Sequence, residues 1–264
     1  MDQYQAIREL WREYRIASES DLDCRLSSYR ILFAYHSGKI ENEQITYHDT
    51  REIFENGRAV GFTGDPRALF EQQNQKLCYE LIKRKIVARE PLSIPLIREI
   101  HAALSAGTYD QRRYLEQGER PGEFKRHDYV TSVHEVGSAP QRVEDDLAEL
   151  VAEVNAYDGD DVLKAAAYFH ARFEYIHPFA DGNGRAGRTL LNYYLMTRGE
   201  PPLIVFEEDK KRYYSALEAY DVREDLAPML AFLTEQTVKT WRAALERKSG
   251  TPLKPRNGLD QFDP

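Results

Sequence analysis

Apolar residues return at every third or fourth position along nearly the whole chain, and that spacing commits it to helices packed on one another. Ile7, Leu10, Trp11 and Tyr14 form one stripe, and Leu26, Tyr29, Leu32 and Phe33 a second. Asp65-Pro66 supplies an N-cap and a first-turn proline for a long helix carrying Leu69, Phe70, Leu77, Leu81, Ile82 and Ile86. Val143, Leu147, Leu150, Val151 and Val154 mark another helix. From Asp160-Asp161 the pattern runs through Val162, Ala166, Phe169, Phe173 and Ile176, breaks at a glycine-rich turn, and resumes at Leu190, Leu191, Tyr194 and Leu195. Gly199 stands where a helix C′ residue belongs, and Pro201-Pro202 block continuation. Asp225 opens a last helix through Leu226, Met229, Leu230, Leu233 and Trp241. Only Gly118 to Pro140, rich in Gly, Pro, Thr and Val, departs from the pattern, and it predicts a loop with a short β-hairpin. The expectation is a mainly α fold: one helical domain with an N-terminal helical extension, a short hairpin and a polar, loosely ordered tail.

Charge and cysteine usage narrow the function classes. Lys plus Arg number 36 against 44 Asp plus Glu, a net charge of −8 and a pI near 5.5. That balance disfavours nucleic-acid wrapping by an overall positive field, though not a local basic pocket, and no helix-turn-helix segment with a basic face is visible, so direct nucleic-acid binding is not expected. Two cysteines, Cys24 and Cys78, are no disulfide framework for 264 residues, so a reducing cytosol is expected. The first residues lack the basic-then-apolar pattern of a signal peptide, and no apolar run reaches membrane-span length. A soluble, cytoplasmic protein without membrane contact is the expectation; self-association is compatible with it.

The chemistry concentrates in His177-Pro178-Phe179-Ala180-Asp181-Gly182-Asn183-Gly184-Arg185-Ala186-Gly187-Arg188. This string is a turn that ends at a helix N-terminus, where free backbone N–H groups and the helix dipole favour an anion. Gly182 and Gly184 let the backbone approach a ligand closely and form the nest that phosphates occupy. Arg185 and Arg188, three apart on the first turn, can project towards one bound anion. Asp181 offers the hard oxygen that a phosphate-bridging Mg²⁺ prefers. His177 can be neutral at physiological pH and take a proton from a hydroxyl. A plain helix–helix turn explains any one of these features but not their coincidence.

The string resembles the HxFx(D/E)GNGRxxR signature of the Fic family at every defined position. Supporting similarity runs from about Pro91 to Trp241 and includes Gly122-Glu123-Phe124-Lys125-Arg126, where Lys125-Arg126 departs from the usual Gly-x-(Tyr/Phe)-Arg, and Asp209 to Leu217. The resemblance divides the chain into an extension (1–90), a Fic catalytic core (91–246) and a tail (247–264). It implies transfer of AMP from ATP to a Ser, Thr or Tyr hydroxyl of a target protein, with self-modification. His177 would take the hydroxyl proton, and Asp181 would hold Mg²⁺ on the α- and β-phosphates. The Gly182, Asn183 and Gly184 backbone, with the Asn183 amide, would bind the leaving phosphates, and Arg185 and Arg188 would neutralise them. Phe179 would anchor the loop. The related death-on-curing toxins, which phosphorylate, carry Lys where this chain has Gly184, so glycine favours adenylylation. A flap at about Tyr129 to Val136 would hold the target as an added strand.

Ser37-Gly38-Lys39-Ile40-Glu41-Asn42 fits the family's inhibitory pattern (S/T)xxxE(G/N). Glu41 paired with Arg188 would remove that arginine from the γ-phosphate and set a negative charge in its place. Ser37 and Asn42 complete the motif. Other features read as structure. His170, inside an apolar stretch, is a core histidine and not a metal ligand with His177 and Asp181. His36, His48, His101, His127 and His134 lack partners at ligand spacing. Tyr213 and Tyr214 divide between packing and a nucleotide base, and Lys83-Arg84-Lys85 is a solvated face. Two further readings stand beside adenylylation: another phosphate-containing transfer or AMP removal on the same fold, and a nucleotide-sensing module with little turnover.

Overall fold

Capping side chains set several of the helix starts. In the computed structural model, which describes residues 2–129 and 137–248, α1 spans Gln3–Glu13 and α2 spans Glu19–Glu41. Ser18 caps α2 by accepting the Asp21 N–H, and the Asp21 carboxylate accepts the Ser18 N–H in return. Thr46 and Asp49 repeat this reciprocal pair at the start of α3 (Tyr47–Asn56). Asp65 caps α4 (Pro66–Val87) by accepting the Arg67 N–H at 2.9 Å, with Pro66 in the first turn as the sequence predicts. Then come α5 (Ile94–Ser105), α6 (Val143–Ala156), α7 (Val162–Ile176), α8 (Asn183–Thr197), α9 (Lys210–Arg223) and α10 (Ala227–Lys248).

Apolar spacing alone does not yield α3 or α9, whereas α5 carries the stripe Leu96, Ile97, Ile100 and Leu104. Helix α3 buries only Thr50 and Ile53, and α9 buries a face built of Ala and Tyr with one Leu, so neither carries an aliphatic stripe. For α5 the signal is present as Ser93 at the N-cap and Pro95 in the first turn. The described residues contain no strand. Residues 118–129 and 137–140 run as turns and irregular chain, and the expected flap falls on 130–136, outside the described residues. Helix α10 continues to Lys248; the rest of the expected tail, 249–264, also lies outside them.

Helices α7 and α8 occupy the centre. Every residue of α8 except Gly184 is buried, so the turn between these helices is held by the core itself. The first ninety residues pack into the same core. Trp11 of α1 meets Trp241 of α10 with ring centroids 5.3 Å apart, and Tyr29 of α2 stacks on Trp241 at 6.0 Å. Arg8 donates twice to the buried Glu200, both at 2.6 Å. Helix α2 also packs on α4 and α8, and this brings its C-terminal turn over the start of α8. No helix among the described residues is long and apolar enough to cross a membrane.

Candidate active site

The loop between α7 and α8 begins with a strained residue. His177 is the C-cap of α7 and sits in the left-handed region at φ 49°, ψ 63°. That conformation is uncommon for a residue with a side chain, and such strain concentrates at functional sites. The half-buried ring faces the Glu174 carbonyl. Burial, and then the nearby Lys125 ammonium, hold the imidazole at about 4, so it is neutral at physiological pH and able to accept a proton. At the other end of the loop Gly182 turns the chain at φ 78° to start α8, where side chains are disfavoured.

Two polar side chains and a ring stack lock the loop from beneath. Phe179 is fully buried and lies face to face with His101, centroids 3.6 Å apart and planes within 3°. His101 Nδ1 accepts the Gly122 N–H at 2.9 Å, so its Nε2 carries the proton and donates to the Asp181 carbonyl at 2.8 Å. Asn183 closes the loop on itself: its Oδ1 accepts the Phe179 N–H at 2.9 Å and its Nδ2 donates to the Phe179 carbonyl at 2.7 Å. The Asn183 amide expected on a phosphate therefore bonds within the loop in this structure. The side chain is consumed by the loop, and what Asn183 offers an anion is its backbone at the start of α8.

The two arginines, whose spacing predicts a shared anion, face different carboxylates in this structure. Arg188 is buried, and its Nη2 lies 2.8 Å from Glu41 Oε1 and donates to the Ser37 carbonyl at 3.0 Å. Its Nε donates to Ser37 Oγ at 3.0 Å. Burial opposes the charge, but Glu41 outweighs it, and the guanidinium holds its proton more firmly than a free arginine. Arg185 is held from below, with Nη1 donating to the Leu104 carbonyl at 3.1 Å and 3.3 Å from the buried Glu71 Oε1. Asn42 touches neither arginine. It is the C-cap of α2, and its side chain accepts the Gln44 N–H, so its place in the motif is at the helix end. The Glu41 carboxylate covers Gly184: a Cβ there would stand 2.5 Å from Glu41 Oε1 and 3.0 Å from Arg188 Nη1.

Residues not singled out from the sequence complete the site. Arg67 of α4 donates from Nη2 to Asp181 Oδ2 at 2.7 Å and from Nε to Glu71 Oε1 at 2.9 Å. The pair Arg67/Glu71 is readable as a four-residue helical spacing, but nothing local joins it to Asp181, 114 positions on. Lys125 is buried beside His177, and the backbone N–H groups of Lys125 and Ser138 donate to the Pro178 and Ile176 carbonyls at 2.9 and 3.0 Å. Glu174 lies in the core near Arg188, where burial pushes its carboxyl up to about 8. His170 is buried and bonded to Tyr213 Oη at 2.7 Å, a core histidine as read from the sequence; Tyr213 is buried with it, while Tyr214 is 43% exposed. Among the described residues, His36, Glu207 and Glu208 alone bring three metal-type ligand atoms within 4.8 Å, away from this loop and with Glu208 already bonded to Lys239 at 2.7 Å.

His101 and His170, both held by burial at about 3 against an ordinary 6.5, make stability pH-dependent. The unfolded chain takes up protons that the native state refuses, so their stabilisation is full above about pH 6.5 and is lost as pH falls towards 3. Urea unfolding at pH 7, 5.5 and 4.5 is expected to show falling stability, with a shallower fall in His170→Gln. An equal slope in both proteins contradicts this.

A family model described as the Fic/DOC family matches residues 91–195. The protein adenylyltransferase Fic of Drosophila persimilis is 30% identical over 229 residues, covering 83% of this chain and 41% of the relative. The protein of the same name from Drosophila melanogaster is 29% identical over the same length, covering 42% of that relative. The chain thus spans about two fifths of the length of the curated relatives it matches. Among solved structures, a Fic domain containing signaling protein from Bacteroides thetaiotaomicron superposes with a TM-score of 0.81 at 23% identity, covering 97% of this chain and 100% of that one. Fic-1 from C. elegans superposes at 0.75 with 24% identity, covering 94% of this chain and 71% of that one. These likenesses show the fold.

Proposed function

We propose that this chain, whose residues 91–195 match the Fic/DOC family model, is a protein adenylyltransferase held in check by its own second helix. The observation that carries the reading is His177, a neutral, half-buried imidazole one short turn from the anion-attracting start of α8. The hydroxyl oxygen of a target Ser, Thr or Tyr bonds to the α-phosphorus of ATP, the bond to the bridging oxygen breaks, and pyrophosphate leaves. His177 accepts the hydroxyl proton. The Gly182–Gly184 backbone cradles the departing phosphates, with Arg185 beside it and Arg188 supplying charge once Glu41 withdraws.

Asp181 suits Mg²⁺, since its Oδ2 already receives a cationic group, the Arg67 guanidinium, at 2.7 Å. When bound, Mg²⁺ neutralises and orients the phosphates. Glu41 on Arg188 supports autoinhibition, because the carboxylate lies where a phosphate oxygen would pair with that arginine. The backbone bonds of Lys125 and Ser138 hold the chain on either side of the proposed flap, about Tyr129 to Val136, against the loop, which supports its use in target binding. A hydroxyl of the same chain reaching the flap accounts for self-modification. Two free thiols, Cys24 and Cys78, suit a cytosolic setting.

The reading is tested with labelled ATP and the Glu41→Gly protein in cell lysate, followed by mass spectrometry of labelled proteins. A target or the protein itself carrying the mass of one AMP on a hydroxyl side chain is the expected result. Addition of phosphate alone, or no adduct on any protein, contradicts it.

A further inference from the structure

The cation-side carboxylate of the site is already engaged. Asp181 Oδ1 accepts the Gly182 N–H at 2.8 Å, and Oδ2 accepts from Arg67 Nη2 at 2.7 Å. Arg67 stands in the first turn of α4, where the helix dipole disfavours a positive charge. It also precedes Glu71 by four residues, the weaker orientation for a helical ion pair. Helix stability therefore gives no reason for an arginine here; its two carboxylate partners do. Glu71 is buried and grips Arg67 Nε at 2.9 Å, so a guanidinium displaced from Asp181 stays tethered beside it. Displacement is feasible, because the Arg67 and Asp181 side chains are 33% and 20% exposed.

We infer that Arg67 is a positioning residue that sets the cation affinity of Asp181: its guanidinium is held on Oδ2, and a divalent cation binding there competes with that positive charge. The inference rests on the reading of Asp181 as the cation ligand. Mg²⁺ takes a carboxylate oxygen at about 2.0–2.1 Å, and a guanidinium held on that oxygen opposes it by like-charge repulsion. The first ninety residues then hold both charged ends of the resting site. Glu41 from α2 occupies Arg188, and Arg67 from α4 occupies Asp181. The two contacts lie on different helices, so opening the first leaves the second in place. Activation of the enzyme by loss of Glu41 alone thus retains a raised cation requirement.

The test titrates Mn²⁺ by calorimetry into the full chain with a non-hydrolysable ATP analogue, for wild type, Arg67→Gln, Arg67→Lys and Asp181→Asn. Thermal melting confirms that each variant folds. Arg67→Gln is expected to lower the half-saturating Mn²⁺ concentration by about fivefold, the scale of a partly exposed ion pair. Arg67→Lys, which keeps the charge, is expected to lie between it and wild type. Unchanged or raised half-saturation in Arg67→Gln, with Asp181→Asn weakened, overturns the role of Arg67 alone. An Asp181→Asn protein with the wild-type Mn²⁺ response overturns the cation assignment and this inference with it.

Discussion

Replacing His177 with alanine is expected to lower AMP transfer by about 10² or more while nucleotide affinity stays close to that of the parent protein. The imidazole is the proton acceptor of the proposed reaction, and it is kept neutral by burial and Lys125. The groups assigned to the nucleotide do not depend on its ring. Asn183 and His101 hold the loop through Phe179 and the Asp181 carbonyl, so the α8 N-terminus survives the substitution. Single-turnover transfer and equilibrium binding, measured on the Glu41→Gly background, separate the two effects. Loss of binding in step with rate shows that His177 is structural. The low value of about 4 adds a pH signature: transfer by the parent stays flat through neutrality and falls only on the acid side.

Glu41→Gly is expected to raise self-modification or target modification at least tenfold, which asks about 1.4 kcal/mol of the barrier. Arg188→Ala is not expected to do so, although it breaks the same contact. The first change frees the buried guanidinium from its Glu41 carboxylate, and the second removes the charge proposed to pair with the leaving phosphates. The double variant is expected to behave like Arg188→Ala, a non-additivity that marks two residues acting through one contact. Equal transfer by wild type and Glu41→Gly on a modifiable target shows that Glu41 is no inhibitor and leaves the adenylyltransferase reading intact.

The residues of the 177–188 loop were legible because turn geometry and helix initiation are written in consecutive positions. A glycine permits a left-handed turn, a helix begins after it, and the free amides follow from that alone. The contact between Ser37, Glu41 and Arg188 was legible only through a family pattern, since no local rule joins positions 151 apart. Asn183 shows the limit of reading a motif as a set of ligand contacts. Its amide has the chemistry to bind phosphate, but in the fold it is spent on Phe179 four residues away. Asn42 ends its helix, with its side chain on the Gln44 N–H.

By itself, the sequence determined a helical fold, the place of its long helices, and an anion-ready turn with a titratable base at its entrance. These depend on periodicity, capping and backbone sterics, which act between near neighbours. Only the tertiary structure decided which charges meet: Arg188 with Glu41, Asp181 with Arg67, Arg185 with Glu71, and His101 beneath the loop. Those pairings depend on how α2, α4 and α5 pack against α8. Burial then sets their strength, by stripping water from groups whose protonation and partners would otherwise be ordinary.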